Sequence, residues 1–174
     1  MDTYPIDTEE ATRVNIRTQA LINDAFLRVI HTGPHEQIVV MTLPLDGESG
    51  EKVSPDTDQF FVFVDGLGEA RVGAYVLGVE PGDLIYVPAG TRCNIVNRAV
   101  APLRLIAVYG PPALEPGAIY WTREEAPVLH RGLDAACTSS AELPAWFVPT
   151  PSSVSPTPGS RRPRIATRLG QLGR

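Results

Sequence analysis

Three histidines and two cysteines are the only imidazoles and thiols among these 174 residues, and their placement limits the chemistry open to the chain. His31 and His35 flank Thr32-Gly33-Pro34, which reads as a hairpin turn between two strands, and His130 stands far from both. No Ser, His and Asp fall at a spacing that suggests a nucleophilic triad, and there is neither a phosphate-binding loop nor a dinucleotide fingerprint; Gly66-Leu67-Gly68 is a turn. Arg92 precedes Cys93, and a cation beside a thiol lowers its pKa and makes it reactive. Neighbours on a strand point to opposite faces, however, so that pairing is lost if the segment is extended, and Cys93 then reads as a small buried hydrophobe. Asp83, following Glu80-Pro81-Gly82, suits a backbone-capping turn residue better than an acid catalyst. Tyr75, Tyr86 and Tyr109 are candidates for the mouth of a cavity as well as ordinary strand residues.

The elements that must position these residues are strands. With 17 Pro, 15 Gly and few helix-periodic stretches, the chain points to strands and turns rather than a helical bundle. Runs rich in Val, Ile, Phe and Tyr predict strands at Phe26–His31, Gln37–Leu43, Gln59–Val64, Glu69–Val72, Tyr75–Val79, Asp83–Val87, Cys93–Asn97 and Leu103–Tyr109. Their rhythm of roughly 8–12 residues is that of a sandwich or barrel. Gln59, Phe61 and Phe63 share one face of their strand while Phe60, Val62 and Val64 share the other, so both faces should be covered. A helical turn is expected near Glu9–Arg13, and a short helix near Arg123–Ala126 or Asp134–Ala141. At 43% hydrophobic and 20% charged, the chain can build one core without disulfides. No apolar run approaches the roughly 20 residues of a membrane span. Met1–Glu10 has neither the basic nor the apolar part of a secretory signal, and the two cysteines form no disulfide framework. A cytoplasmic or other reducing compartment, such as an organelle interior, is therefore expected.

The stretch Gly82-Asp83-Leu84-Ile85-Tyr86-Val87-Pro88-Ala89-Gly90-Thr91-Arg92-Cys93-Asn94-Ile95-Val96-Asn97 reads as Gly, five residues, Pro-x-Gly, two residues, a special position, three residues, Asn. It resembles the second motif of the cupin superfamily of small β-barrels, with Cys93 where that family has histidine; the resemblance covers Phe26 to Glu125. The first motif of the family ends in a Gly, here Gly66, which puts Gln59 at its Glu position and Ser54 and Asp56 at its two histidines. Ser54-Pro55-Asp56-Thr57-Asp58-Gln59-Phe60 is similar to a branch of small bacterial-type cupins with His-Pro-x-x-Asp-Gln, in which that His, the Gln and the second-motif His are the expected metal ligands. The resemblance thus implies an all-β, cupin-like jelly-roll barrel whose former metal-site positions are Ser54, Asp56, Gln59 and Cys93. Neutral Ser and Gln are weak ligands, and one thiolate with one carboxylate rarely holds a metal without imidazole. A metal-free pocket is the expectation; a remodelled site at Asp56, Gln59 and Cys93 for a divalent transition metal is the alternative.

The net charge of -5 hides an asymmetry. Residues 150–174 carry five arginines and no acid, so the rest holds 10 basic and 20 acidic residues. Such an acidic body argues against DNA or other nucleic-acid binding. The organisation expected is a lead-in (1–25), a barrel (26–125), a post-barrel segment (126–148) and a Pro-rich linker with a basic tail (149–174). The tail is either a solvated end or a tether in which Arg161, Arg162, Arg164, Ile165, Arg168, Leu169 and Leu172 meet a partner. The resemblance to cupins implies a homodimer or larger protein assembly through the outer sheet, with the tail as a further contact. The function these readings favour is a degenerate, non-catalytic cupin acting as an accessory or interaction subunit. A metal-dependent isomerase or dioxygenase and a binder of a small organic ligand are the alternatives.

Overall fold

The structure, a computed structural model, describes residues 12–127. A short helix, α1 (Ile16–Leu21), precedes ten strands: β1 (Leu27–Thr32), β2 (Gln37–Leu43), β3 (Lys52–Val53), β4 (Asp58–Asp65), β5 (Gly68–Val72), β6 (Tyr75–Val79), β7 (Leu84–Val87), β8 (Arg92–Asn97), β9 (Leu103–Gly110) and β10 (Ile119–Tyr120). They form two antiparallel sheets, one of six strands in the order β10-β1-β2-β9-β4-β7 and one of four in the order β3-β8-β5-β6. The core lies between the inner faces, where Phe61, Phe63, Leu43, Leu103 and Leu105 meet Ala70, Val72, Leu77, Val79 and Ile95. This is the expected all-β jelly-roll barrel. Every strand read from alternation is present within a residue or two. The two additional ones, β3 and β10, are two residues each and too short to show a period.

Of the helical turn expected near Glu9–Arg13, residues 9–11 lie outside the described residues. Arg13 is not helical; Asn15 is the N-cap, its side chain accepting a hydrogen bond from the Thr18 N–H at 3.0 Å. Ala20 of α1 is buried against Val40 and Ile106, with Ile16, Ile30, Ile38, Val62 and Val64 around them. The helix thus covers Val62 and Val64 on the outer face of β4, and two side chains four residues apart, Ile16 and Ala20, suffice for that. Beyond the helix, Phe60 remains 39% exposed and stacks on Tyr86, ring centres 4.9 Å apart. Arg123–Glu125 is a turn, not a helix, and Asp134–Ala141, His130 and the whole of 149–174 lie outside the described residues. Among the described residues no helix is long and apolar enough to cross a membrane.

The turns that carry the motif glycines position the site. Gly66 has φ +87°, and a Cβ there would lie 2.6 Å from the Pro102 carbonyl oxygen, so both the turn and the close approach demand glycine. In Pro88-Ala89-Gly90, the Gly90 N–H donates to the Ser54 carbonyl at 2.7 Å and the Ala89 N–H to Asp58 Oδ1 at 2.8 Å. The segment after β3 is thereby tied to the turn before β8. Asn97, the last motif residue, is fully buried; its amide donates to the carbonyls of Leu43 (3.0 Å), Pro44 (2.9 Å) and Ala101 (2.8 Å), and its oxygen accepts from the Ala99 N–H. Removing it strands acceptors from two loops at once. Asn97→Ala is expected to destabilise the barrel by about 3 kcal/mol in urea unfolding, since each orphaned buried group costs roughly 1–3 kcal/mol. A loss too small to resolve from the experimental error would mean that water replaces the side chain.

Candidate functional site: the polar row inside the barrel

Register sets a line of polar residues across the six-stranded sheet. Tyr109 of β9 stands opposite Gln37 of β2 on one side and Gln59 of β4 on the other, and Gln59 in turn faces Val87 of β7. Gln37, Tyr109 and Gln59 are all at or below 1% exposure, so their polar atoms need partners inside the protein. Gln37 has them. Its amide donates to Thr32 Oγ1 and the Leu114 carbonyl, both at 2.8 Å, and its oxygen accepts from the Leu114 N–H at 3.0 Å, which pins the segment after β9 against the sheet. Gln59 is half satisfied: its Nε2 donates to Ser54 Oγ at 2.9 Å, while its Oε1 has no partner. The Tyr109 hydroxyl has none either.

Lys52 enters this row from the other sheet. Strand β3 places it opposite Cys93 of β8, and its side chain is 7% exposed. Its Nζ lies 5.2 Å from the ring centre of Tyr109 and 5.8 Å from that of Phe61. Among the described residues it makes no ion pair and no side-chain hydrogen bond. The two ring contacts return roughly 0.5–2 kcal/mol each to the ammonium. Lys52 also lines a cavity of 260 Å³ with Phe26, Leu27, Met41 and Leu114. A larger cavity of 570 Å³ lies beside it, lined by Phe26, Pro44, Pro102 and Trp121; Arg123 borders both and is held by Glu48 at 2.8 Å. Neither cavity is lined by Ser54, Gln59 or Cys93.

Three of the four positions singled out in the sequence, Ser54, Gln59 and Cys93, are buried. Ser54 and Gln59 touch. Cys93 is fully buried in the core, opposite Lys52 in the β3–β8 ladder. Asp56 does not join them: it is exposed in the turn between β3 and β4, where water solvates a carboxylate that the apolar interior would penalise. Arg92, as strand alternation requires, points outward and pairs with Glu51 at 3.0 Å, so it cannot activate Cys93. Of the three tyrosines only Tyr109 faces the interior; Tyr75 is exposed and Tyr86 lies against Phe60 outside. Lys52 and the unpartnered Tyr109 hydroxyl are absent from the sequence reading. One signal for Lys52 was in plain view, because it is the only lysine among 15 basic residues.

Burial pushes the Cys93 thiol up from 9.0 to about 11, with the Lys52 charge pulling the other way. The native state therefore keeps this proton longer than the unfolded chain does. The associated stability is fully present below the unfolded value and is lost as pH rises through the folded one, a change of roughly 2–3 kcal/mol for a shift of this size. Cys93→Ala lacks this proton, so its stability relative to the native chain should improve by that amount between neutral pH and the top of the window, as followed by urea unfolding. Parallel pH profiles for the two chains would show that burial does not hold the proton.

Comparison with known proteins fits this barrel. The cupin domain family model matches residues 39–109, from β2 to the end of the polar row at Tyr109. The chain is 31% identical over 119 residues to the uncharacterized protein YrkC of Bacillus subtilis, covering 65% of this chain and 64%, just under two thirds, of that protein. It is 35% identical over 112 residues to an uncharacterized protein of Acanthamoeba polyphaga mimivirus, covering 61% of this chain and 69% of the relative. Among solved structures, a Bacillus halodurans protein superposes with a TM-score of 0.65 at 29% identity over 67% of this chain and 93% of its own. A Klebsiella pneumoniae protein with a double-stranded β-helix domain gives 0.52 at 16% identity over 64% and 100%, a likeness of fold alone. With the motif glycines in their turns, Asn97 locking two loops and the family match running through the central strands, the chain belongs to the cupin superfamily.

Proposed function

We propose that this cupin is a non-catalytic binding module whose barrel works without a transition metal. The observation that carries the reading is the hydrogen bond between Ser54 and Gln59. Two of the former ligand positions are spent on each other as neutral groups, the third is a thiol held protonated by burial, and Asp56 faces solvent. Among the described residues no three of His, Cys, Asp and Glu converge. Such a donor set suits none of the divalent ions that rely on imidazole or carboxylate ligands, so no metal-dependent step is assigned to it. The test is elemental analysis of protein purified without chelator, alongside the variant Ser54→His with Cys93→His. Substoichiometric iron, manganese, nickel and zinc in the native chain, with affinity gained by the variant, is the expected result. Stoichiometric metal in the native chain would return the isomerase or dioxygenase reading.

An accessory role in a protein assembly is the second reading. It is favoured by the apolar group Phe60, Leu84 and Tyr86 on the outside of the six-stranded sheet, where Phe60 is 39% and Leu84 50% exposed, together with the five arginines of the tail. Deleting residues 149–174 is expected to leave thermal melting of the barrel unchanged while reducing the mass of the particle measured by light scattering. A barrel that unfolds on truncation would make the tail structural, and an unchanged mass would remove it from assembly.

A further inference from the structure

The geometry points to Lys52 as an anion-binding residue, and we propose that the 260 Å³ cavity beside it receives a small organic carboxylate. The proposal deepens the metal-free reading above and rests on it: the positive charge that a cupin ion would bring to the barrel is here supplied by a side chain.

Three observations carry it. The first is the state of Lys52 itself, 7% exposed, with its ammonium on the rings of Tyr109 and Phe61 and with no carboxylate or other acceptor among the described residues. Three N–H donors on an aromatic floor leave one side for an incoming acceptor. The second is the charge balance of the cavity. Its other ionic residues are already matched, Arg123 by Glu48 at 2.8 Å and Glu51 by Arg92 at 3.0 Å, so the charge left over belongs to Lys52. The third is the lining. Phe26, Leu27, Met41, Leu114 and Ala126 form an apolar stretch of a wall that Ser49, Glu51 and Arg123 complete with polar groups, and that stretch suits an anion carrying a hydrocarbon body better than phosphate or sulfate. At 260 Å³ the space falls below the roughly 300–1,000 Å³ of sites for drug-sized ligands, so the ligand is small. The Tyr109 hydroxyl and Gln59 Oε1 are also buried without hydrogen-bond partners. The use of lysine is also selective. All 14 other basic residues of the chain are arginine, yet among the described residues the one buried cation is the compact ammonium, which pairs with one carboxylate as a point charge.

Because Lys52 is the only lysine, the full-length protein labelled with ¹³C-lysine gives a single side-chain Cε resonance that reports on this site alone. The probes are sodium butyrate and sodium benzoate, their primary amides butyramide and benzamide, and inorganic phosphate, in a saline buffer. A saturable shift of the resonance with the carboxylates but not with the amides, accompanied by a rise in melting temperature, is expected. Lys52→Met should weaken carboxylate binding roughly tenfold to hundredfold by calorimetry, the usual worth of a charged hydrogen bond. Carboxylates and amides acting alike, phosphate acting as strongly as benzoate, or an undiminished response in Lys52→Met would each overturn the proposal. The comparison of native-chain probes stands even if the variant fails to fold. Elemental analysis of the same sample keeps the two readings apart. A metal-free barrel indifferent to carboxylates sinks this proposal alone, whereas a metal-loaded barrel that still shifts the lysine resonance supports it while refuting the metal-free reading.

Discussion

Strand β9 bonds β2 on one edge and β4 on the other, and most of what the barrel contains depends on the register of those two ladders. Leu103, Leu105, Ala107 and Tyr109 face inward because they alternate with Arg104, Ile106 and Val108. A slip by one residue would exchange the two sets and bring Arg104 into the core. The same ladders carry the polar row, since Gln37, Tyr109 and Gln59 can only lie side by side if both registers hold. Packing and site are therefore specified together. The apolar residues between Leu103 and Ala107 make the register costly to change, and the polar row benefits from that rigidity at its end.

Inside the barrel, charge and hydrogen bonding rest on a few polar groups. The Ser54–Gln59 pair is neutral, and Cys93 is kept a thiol by the same apolar surroundings that raise its pKa to about 11. Among the described residues the one buried charged side chain is then Lys52, whose ammonium lies on two aromatic faces. Its nearest neighbours can polarise but cannot neutralise it. Gln37 plays the contrasting part: with its amide fully engaged, it contributes order by anchoring Leu114 across the sheet and offers no free atom to a ligand.

The outer surface of the six-stranded sheet is divided in a similar way. Helix α1 closes one part through Ile16 and Ala20, and Arg104, whose guanidinium donates to the Leu21 carbonyl, fixes the end of the helix to β9. The part beyond it keeps Phe60, Tyr86 and Leu84 in contact with water. Two apolar faces on β4 are thus covered unequally, one by the core and one by a helix that reaches only half its length.

Alternation and turn chemistry made the barrel legible from the amino-acid sequence. Strands such as Gln37–Leu43 and Leu103–Gly110 announce themselves because their inward residues meet a core at every second position, and Gly66, Gly90 and Asn97 mark turns that few other residues can make. The resemblance to the cupin motifs likewise indicated Ser54, Gln59 and Cys93 as inward positions, and all three are buried. What could not be read was how inward residues are shared out across the two sheets. Asp56 lies within two residues of Ser54 yet is in solvent, because the turn between β3 and β4 breaks the alternation that would have carried it inside. Lys52 lies in a strand of two residues, too short for a pattern, and its burial comes from the pairing with β8 and from rings on β4 and β9, 9 and 57 positions further along the chain. Only tertiary contact between strands distant in sequence could place the one lysine of the chain on two aromatic faces, for the physical reason that a side chain's neighbours across a barrel are chosen by register and closure rather than by local sequence.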